Sequence, residues 1–496
     1  MLRQSIRKSF MPDGLLFQII VACGIGLILA IASLRFSVLI VFGALAAALL
    51  VYATLKRPEI ALVGILIATS SIVFEEQLPL ISMGGISFHI PDILLLSLLG
   101  LIVLRRLAKP EFKIVRTPLD LPLLIFYGVT LLSTFIAIFQ SSVDVVEARR
   151  EVRVLSYYLT FFIVTNLVRE LRQLKFLLNS VFLLATIVAA AMVAQFLLGH
   201  SVQLLPGRVE GLWTQGVAYE GITRIAPPGW SIILVSFLAI FCILILEKNK
   251  PQRSLRFLQC GLLGIGLLFA FLRSYWAALI IVFLLLAYIF RGHDRRKLIR
   301  WGLVALFSAA MILLVIFSDP RSRAARLVGA SMDRLSTLGR IGTYQGQDSS
   351  LNWRKIENKY ALSTIAAHPL MGLGMAFTYR PWDRRLDPRS TRGSGYDFRK
   401  HIHNGHLWIL LQSGLLGYLS LMWLSLAFLI RGFRYWRSIA NDRMSGVVLG
   451  FTLAYLVVLI AAVANSTFMQ WRWTPVIGIM MGINEVILRK REKNEC

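Results

Sequence analysis

The sequence predicts an all-α polytopic membrane protein with about 14 transmembrane helices, both termini in the cytoplasm and one large extracytoplasmic loop. Three observations lead to this prediction. Hydrophobic residues make up 57% of the 496 residues, and the mean hydropathy is +0.69. Apolar runs of about twenty residues, the length a helix needs to cross the hydrocarbon core, recur along the chain. Basic residues are concentrated in alternate connections between these runs.

The first candidate span follows a basic start, Met1–Phe10, without a small-residue cleavage site, so a spanning helix is expected rather than a removed signal peptide. The run from Leu258 to Phe290 contains one charge, Arg273. A single helix over this run would be about 50 Å long, so two helices turning at Arg273 are expected. The candidate spans are about 15–32, 36–55, 60–74, 88–104, 119–139, 154–168, 174–199, 229–246, 257–272, 274–290, 299–317, 406–430, 445–464 and 472–488.

The distribution of basic residues predicts the topology. With the amino terminus inside, inner segments hold 30 of the 53 lysines and arginines, and short outer loops hold 8. This is the positive-inside pattern, so most of the net charge of +27 reflects topology and not nucleic-acid binding. The predicted organisation is a bundle of helices 1–11 at residues 1–317, an outer loop at 318–402, and helices 12–14 with a short basic tail at 403–496.

The outer loop holds the other 15 basic residues against seven acidic ones, and this surplus favours an anionic ligand outside the membrane. Trp353, Ile356 and Tyr360 recur at helical spacing and predict a helix near 353–366 on the membrane surface. Residues 380–400 are dense in Arg, Asp and Gly and are expected to form a mobile loop. The four cysteines are scattered, which supports neither a disulfide framework nor a zinc knuckle.

Three histidines, His401, His403 and His406, lie at the end of the outer loop, where a long apolar helix begins. Because histidine changes charge near neutral pH, one of them is a candidate general base. Two alternatives stay open. The three side chains could hold zinc, although so tight a cluster is cramped, or they could be interfacial histidines with no chemical role.

Arginines are the second group of candidates. A charge inside a long apolar run is costly, so Arg273 is a functional candidate, with snorkelling to the headgroups as the alternative. Arg208 and Arg224, in the outer segment 199–228, are weaker candidates. Arginine suits a diphosphate because its planar fork makes paired charge-assisted hydrogen bonds.

A motif resembles a known family. His403-Asn404, nine residues and then Gly414-Leu415-Leu416-Gly417 resemble the pattern of the bacterial O-antigen ligase and O-antigen polymerase superfamily, membrane glycosyltransferases of the GT-C type. Leu272-Arg273-Ser274 resembles that family too, as does Trp353 followed by His368-Pro369-Leu370-Met371-Gly372-Leu373-Gly374. The likeness covers roughly residues 255–430, at the end of the large outer loop.

The resemblance implies an enzyme that takes a glycan from undecaprenyl diphosphate and passes it to an acceptor hydroxyl, inverting the anomeric carbon without a metal or other cofactor. It implies that His403 deprotonates the acceptor and that Asn404 orients the base or the acceptor. Arg273, with Arg224 and Arg208, would hold the diphosphate and stabilise its departing charge.

The implied location is the bacterial inner (plasma) membrane, with the active site facing the periplasm. The implied partners are the lipid bilayer, the lipid-linked donor and a glycan, lipid A core or protein acceptor, and no nucleic acid. An O-antigen or exopolysaccharide polymerase is favoured slightly over an O-antigen ligase or an O-oligosaccharyltransferase acting on lipid A core or protein. A polysaccharide or lipid transporter is the alternative from another class, but it does not explain a long outer loop ending in histidines.

Overall fold

The computed structural model describes residues 56–73, 77–78, 80–83, 86–214, 217–247, 253–317, 323–339, 349–387 and 397–492. The chain divides into one unit at Met1–Pro58 and a second at Glu59–Cys496. The expected spans at 15–32 and 36–55 lie outside the described residues.

The described residues are mainly helical. The helices are α1 (Pro58–Ser70), α2 (Ile90–Ala108), α3 (Asp120–Phe139), α4 (Val145–Ser156), α5 (Thr160–Leu167), α6 (Leu171–Leu198), α7 (Trp230–Leu246), α8 (Arg253–Phe269), α9 (Arg273–Ile289), α10 (Gly292–Phe317), α11 (Arg323–Gly339), α12 (Ser349–Ala367), α13 (Gly405–Tyr435), α14 (Asp442–Ala461) and α15 (Thr474–Glu492). Two antiparallel hairpins, which the sequence analysis does not predict, pair β1 (Ile81–Met83) with β2 (Ile86–Phe88) and β3 (Arg208–Thr214) with β4 (Val217–Ala226).

By length and composition, four helices in the described part of the chain are able to cross a membrane. They are Asp120–Phe139, Leu171–Leu198, Gly405–Ser438 and Asp442–Ala464, the last two counted with the short turn that follows each helix. Three shorter helices, α1, α7 and α9, are also apolar. Phe139 is 84% exposed, as a lipid-facing side chain would be. These features fit an α-helical membrane protein, whereas the number of fourteen spans and the side of each terminus stay predictions.

One expected span differs in the structure. Residues 154–168 do not form a single helix, because α4 ends at Ser156, a 3-10 turn occupies Tyr157–Leu159, and α5 begins at Thr160. The eight residues of α5 extend about 12 Å, too short to cross the hydrocarbon core. Nearly all of them are buried in the protein, so their apolar character comes from core packing and not from contact with lipid.

Small residues allow the central helices to pack closely. An added Cβ at Gly446 would lie 2.7 Å from the Cα of Ile243, and one at Gly450 would lie 2.3 Å from the Cα of Ala239. These two glycines, four residues apart, allow α14 to pack closely against α7. Helix α15 has a second pair of glycines with the same spacing, which faces α5. Small residues four apart are typical of helix contacts inside membranes.

The long apolar run is divided at the expected place. Helix α8 ends at Phe269 and α9 begins at Arg273, with Phe271 between them at a positive φ of 49°. A non-glycine residue in this conformation is uncommon, so the turn is held by its surroundings. The result is that Arg273 stands at the amino-terminal end of a helix instead of in its middle.

Helix α13 is interrupted at Gly414, where φ is 62° and ψ is −164°. The segment 369–374 lies against this break. The carbonyls of Leu411 and Gln412 accept N–H bonds from the segment at 2.7 and 3.0 Å, and two N–H groups after the break donate to its carbonyls at 2.8 and 3.2 Å. These bonds satisfy backbone groups that the kink frees. The segment 369–374 therefore pairs, through its backbone, with the part of α13 around Gly414.

Replacing Gly414 with alanine should destabilise the protein by roughly 2–5 kcal/mol, because the backbone conformation is one that only glycine adopts readily and the new Cβ would overpack the site. That Cβ would lie 2.2 Å from the carbonyl oxygen of Leu370. Thermal unfolding of the purified variant measures the effect. Gly128→Ala in α3 is the control, since nothing lies within 4 Å of a Cβ there. Equal melting temperatures for the two variants would contradict the expectation.

Candidate active site

A carboxylate and a histidine meet where α12 approaches the start of α13. The Nδ1 atom of His403 lies 3.1 Å from Oε2 and 3.2 Å from Oε1 of Glu357. The backbone N–H of His403 also donates to Oε2 at 3.1 Å, and the indole N–H of Trp353 donates to Oε1 at 2.9 Å. The Glu357 side chain is 2% exposed and that of His403 is 42% exposed. The carboxylate is therefore enclosed while the imidazole remains accessible.

The environment of Glu357 favours its ionised form. Burial by itself would raise the pKa of this carboxyl, but the hydrogen bonds from His403 and Trp353 and the charge of His403 outweigh burial and lower the pKa. A carboxylate only accepts hydrogen bonds, so Nδ1 of His403 carries the hydrogen and Nε2 holds the lone pair. In this tautomer the exposed imidazole is able to take a proton from a hydroxyl.

Asn404 begins helix α13. Its Oδ1 atom accepts the backbone N–H groups of His406 and Leu407 at 3.1 and 3.2 Å, which is an N-cap. The amide oxygen of Asn404 is thus committed to capping the helix, one residue after His403.

His401 lies between the hydroxyl of Ser466 and the ring of His403. Its Nε2 atom lies 3.3 Å from the hydroxyl of Ser466, and its ring is perpendicular to that of His403 at a centroid distance of 5.2 Å. Burial, with the neighbouring charges of His403 and Arg472, lowers the pKa of His401 to about 4. His401 is therefore neutral near pH 7 and is a weaker base than an ordinary histidine, which favours His403 for proton transfer.

His406 has a structural environment. Its Nε2 atom donates to the carbonyl of Leu459 at 3.0 Å, so Nδ1 accepts from the hydroxyl of Tyr418 at 3.2 Å. Both ring nitrogens are used inside the protein. Within the described ranges, no group of three His, Cys, Asp or Glu side chains is arranged to hold a metal ion. The three-histidine zinc site that the sequence leaves open does not match this geometry.

Two of the three candidate arginines lie near one turn. Arg273 is the first residue of α9, directly after the strained turn at Phe271. Arg224 on β4 donates its Nε–H to the carbonyl of Ala270 in the same turn at 3.3 Å, and its side chain is 14% exposed. The hairpin formed by β3 and β4 is therefore what brings Arg224 toward Arg273.

Arg208 is placed differently. It lies on β3 and donates its Nε–H to the carboxylate of Glu210 at 2.7 Å, with 55% of its side chain exposed. The same carboxylate oxygen lies 3.5 Å from Arg224. Arg208 therefore belongs to an exposed surface ion pair, which contributes little energy. This geometry supports anion binding by Arg208 less than anion binding by Arg224 and Arg273.

One side chain joins the arginine turn to the histidine. The Nδ2 atom of Asn465 donates to the hydroxyl of Ser274 at 2.6 Å, and its backbone carbonyl accepts the N–H of Gly405 at 3.0 Å. Ser274 follows Arg273, and Gly405 lies two residues after His403. Asn465 therefore forms hydrogen bonds to the first turn of α9 and to the first residue of α13.

The segment expected to be a mobile loop, 380–400, is partly fixed by ion pairs. The buried guanidinium of Arg380 makes two hydrogen bonds to Asp387, at 2.7 and 2.8 Å. Arg399 pairs with Asp397 at 2.9 Å just before the histidines. These local pairs account for part of the arginine content of the outer loop, and they hold the approach to His401 in place.

A comparison with protein-family models identifies the part of the chain that carries this site. Residues 258–422 match the O-antigen ligase family. The resemblance to the O-antigen ligase and O-antigen polymerase superfamily is thereby confirmed over about a third of the chain. A search of curated proteins finds no match.

The O-antigen ligase region runs from α8 into α13 and contains Arg273, Glu357 and His403. Arg208 and Arg224 precede it. The match supports a membrane glycosyltransferase of the O-antigen ligase and polymerase type in general.

Glu357 is the site residue that sequence reasoning misses. The helical pattern of α12 draws attention to its apolar residues, whereas Glu357 is the single acidic residue among the nineteen of this helix. One signal in the sequence could have identified Glu357: it is an isolated acid in a helix that is expected to lie on an apolar surface. Its partner lies 46 residues away, and no spacing rule connects the two.

Proposed function

We propose that the chain is an integral-membrane glycosyltransferase that moves a glycan from undecaprenyl diphosphate to an acceptor hydroxyl at the outer face of the bacterial inner membrane. The observation that carries this proposal is the pairing of the enclosed Glu357 with the accessible His403 inside the O-antigen ligase region. A base held in one tautomer suits a reaction whose acceptor is an alcohol.

In the proposed reaction, Nε2 of His403 takes the proton of the acceptor hydroxyl. The acceptor oxygen bonds to the anomeric carbon as the bond from that carbon to the diphosphate oxygen breaks, with inversion at the carbon. Undecaprenyl diphosphate leaves with the electron pair, and the imidazolium later returns its proton to water. Glu357 accepts the Nδ1–H throughout and stabilises the positive charge that forms on the ring.

Arg273 and Arg224 would act on the leaving group. The departing diphosphate gains negative charge as the glycosidic bond breaks, and guanidinium groups near it stabilise that charge. The strained turn at Phe271 and the contact of Arg224 with Ala270 would hold these side chains before the donor arrives.

Replacing Arg273 with lysine should lower turnover by roughly 10- to 100-fold, because a point charge does not reproduce the paired contacts of a guanidinium. Initial rates of transfer at saturating acceptor, with the donor concentration varied, measure the effect. Arg172→Lys is the matched control, since Arg172 is 82% exposed and pairs with a surface glutamate. Near-normal turnover of Arg273→Lys would favour simple snorkelling to the headgroups.

The acceptor distinguishes two versions of the proposal. We favour a polymerase, for which the acceptor is another lipid-linked glycan; a ligase would use lipid A core or a protein. The purified protein is incubated with a lipid diphosphate-linked oligosaccharide alone, and glycan length is followed on a gel. A ladder of longer chains supports the polymerase. Transfer that begins only when lipid A core or protein is added supports the ligase, and no transfer under either condition supports a transporter.

A further inference from the structure

Arg472 lies in the connection between α14 and α15, at a point where three parts of the fold meet. Its backbone carbonyl accepts a hydrogen bond from the hydroxyl of Ser70, at the end of α1, at 2.9 Å. The same carbonyl accepts the hydroxyl of Ser231, in the first turn of α7, at 2.7 Å. Two helices therefore fix the backbone of Arg472, which limits where its side chain can reach.

Among the residues that the structure describes, the guanidinium of Arg472 has no acidic partner. Its Nε–H donates to Oε1 of Gln470 at 3.2 Å, and in the described part of the chain no carboxylate lies within ion-pair distance of it. Several buried or partly buried arginines in the described ranges do pair with an acid, namely Arg153, Arg256, Arg380 and Arg431. A half-buried cation without a counter-ion is costly, and an anionic ligand would offset that cost.

Hydrogen bonds connect Arg472 to the histidine pair. Gln470, which accepts from Arg472, donates its Nε2–H to the hydroxyl of Ser466 at 2.8 Å. That hydroxyl lies 3.3 Å from Nε2 of His401, and the ring of His401 packs perpendicular to that of His403. Hydrogen bonds thus link Arg472 to His401, whose ring packs against that of the proposed base His403.

The same connection also contacts the start of α9. The hydroxyl of Thr467 lies 3.0 Å from that of Tyr275, and Asn465 bonds to Ser274 at 2.6 Å. Both partners directly follow Arg273. The segment that carries Arg472 is therefore held against the element that presents Arg273 to the proposed donor.

We propose that Arg472 is a further anion-binding residue of this site and contacts the diphosphate of the lipid-linked donor. The inference rests on the proposed function. A diphosphate suits the site because it offers several acceptor oxygens, enough for guanidinium groups from two elements. The terminal nitrogens of Arg472 bond to no other described residue, so they are able to make the paired contact that arginine forms with phosphate.

The test measures binding, independently of turnover. Undecaprenyl diphosphate is titrated into the full-length protein in nanodiscs, with undecaprenol and inorganic pyrophosphate as separate probes. Arg472→Gln should weaken binding of undecaprenyl diphosphate by about 10- to 100-fold and leave that of undecaprenol unchanged. Arg472→Lys should recover part of the affinity, because the charge remains. Arg172→Gln, an exposed change elsewhere, should have no effect.

The outcomes separate this inference from the proposed function. If the unaltered protein does not bind undecaprenyl diphosphate, the proposed function fails. If the unaltered protein binds and transfers while Arg472→Gln binds equally well, the inference alone is wrong. Pyrophosphate binding that depends on Arg472 without any effect on the lipid would also overturn it, because the anion would then be free in solution.

A second measurement uses the unaltered chain and so does not depend on folding of a variant. Phenylglyoxal modifies accessible guanidinium groups, and mass spectrometry reports the extent at each arginine. Bound undecaprenyl diphosphate should protect Arg472 several-fold, whereas undecaprenol should not. Equal modification with and without the diphosphate lipid would contradict the inference.

Discussion

Replacing His403 with alanine should reduce glycan transfer by about 10²–10⁴-fold, because the acceptor hydroxyl then has no general base. The accessible imidazole is the only part of the His403–Glu357 pair that a substrate can reach directly, since the carboxylate is 2% exposed. The rate of product formation under single-turnover conditions measures this loss, and the melting temperature of the variant establishes that it folds.

His368→Ala is the matched control for this experiment. His368 is an exposed residue that directly follows α12, within the same outer segment and the same O-antigen ligase region. The control should transfer glycan at nearly the normal rate. Retained activity in His403→Ala would rule out the base assignment, and equal losses in both variants would indicate damage to the segment and not loss of a base.

Replacing Glu357 with glutamine should lower turnover by about 10²–10⁴-fold while changing the Michaelis constant for the donor little. Glutamine is close in shape to glutamate, but its N–H₂ group is able to donate toward Nδ1 of His403. That would move the hydrogen to Nε2, the atom that must accept the proton. A loss confined to turnover is expected of a positioning residue, whereas a folding defect would lower the amount of active enzyme.

Asp383→Asn is the comparison for Glu357→Gln. Asp383 is an acid of the same outer loop whose side-chain partners are Tyr360 and Arg385, and not a histidine. Its replacement should leave turnover within a few-fold of normal. A Glu357→Gln enzyme with unchanged turnover would mean that the carboxylate only holds the loop and that His403 needs no partner.

Local sequence was sufficient to predict the features that depend on neighbouring residues. The break before Arg273 follows from the length of one apolar run, and the position of His403 at a helix start follows from the change in polarity beside it. The likeness to O-antigen ligases follows from a motif of fixed spacing, and the family match covers that motif.

Features that depend on distant contacts could not be predicted in this way. Glu357 gains its role from a residue 46 positions away, and Arg224 gains its place from a hairpin whose strands carry no clear alternation. The prediction of a membrane span at 154–168 from hydropathy was also wrong, because a short helix buried in protein is as apolar as a helix in lipid. That Arg472 has no carboxylate partner within the described residues becomes visible only when its neighbours in space are known.

The most direct test of the account is the configuration of the new glycosidic bond formed by purified enzyme in the presence of a chelator. Nuclear magnetic resonance of the product of one transfer from a defined undecaprenyl diphosphate-linked glycan reports the anomeric configuration. A single base acting on the acceptor predicts transfer in chelator with inversion, and loss of that product in His403→Ala. Retention of configuration, or transfer that stops when metal ions are removed, would contradict the mechanism proposed for His403 and Glu357.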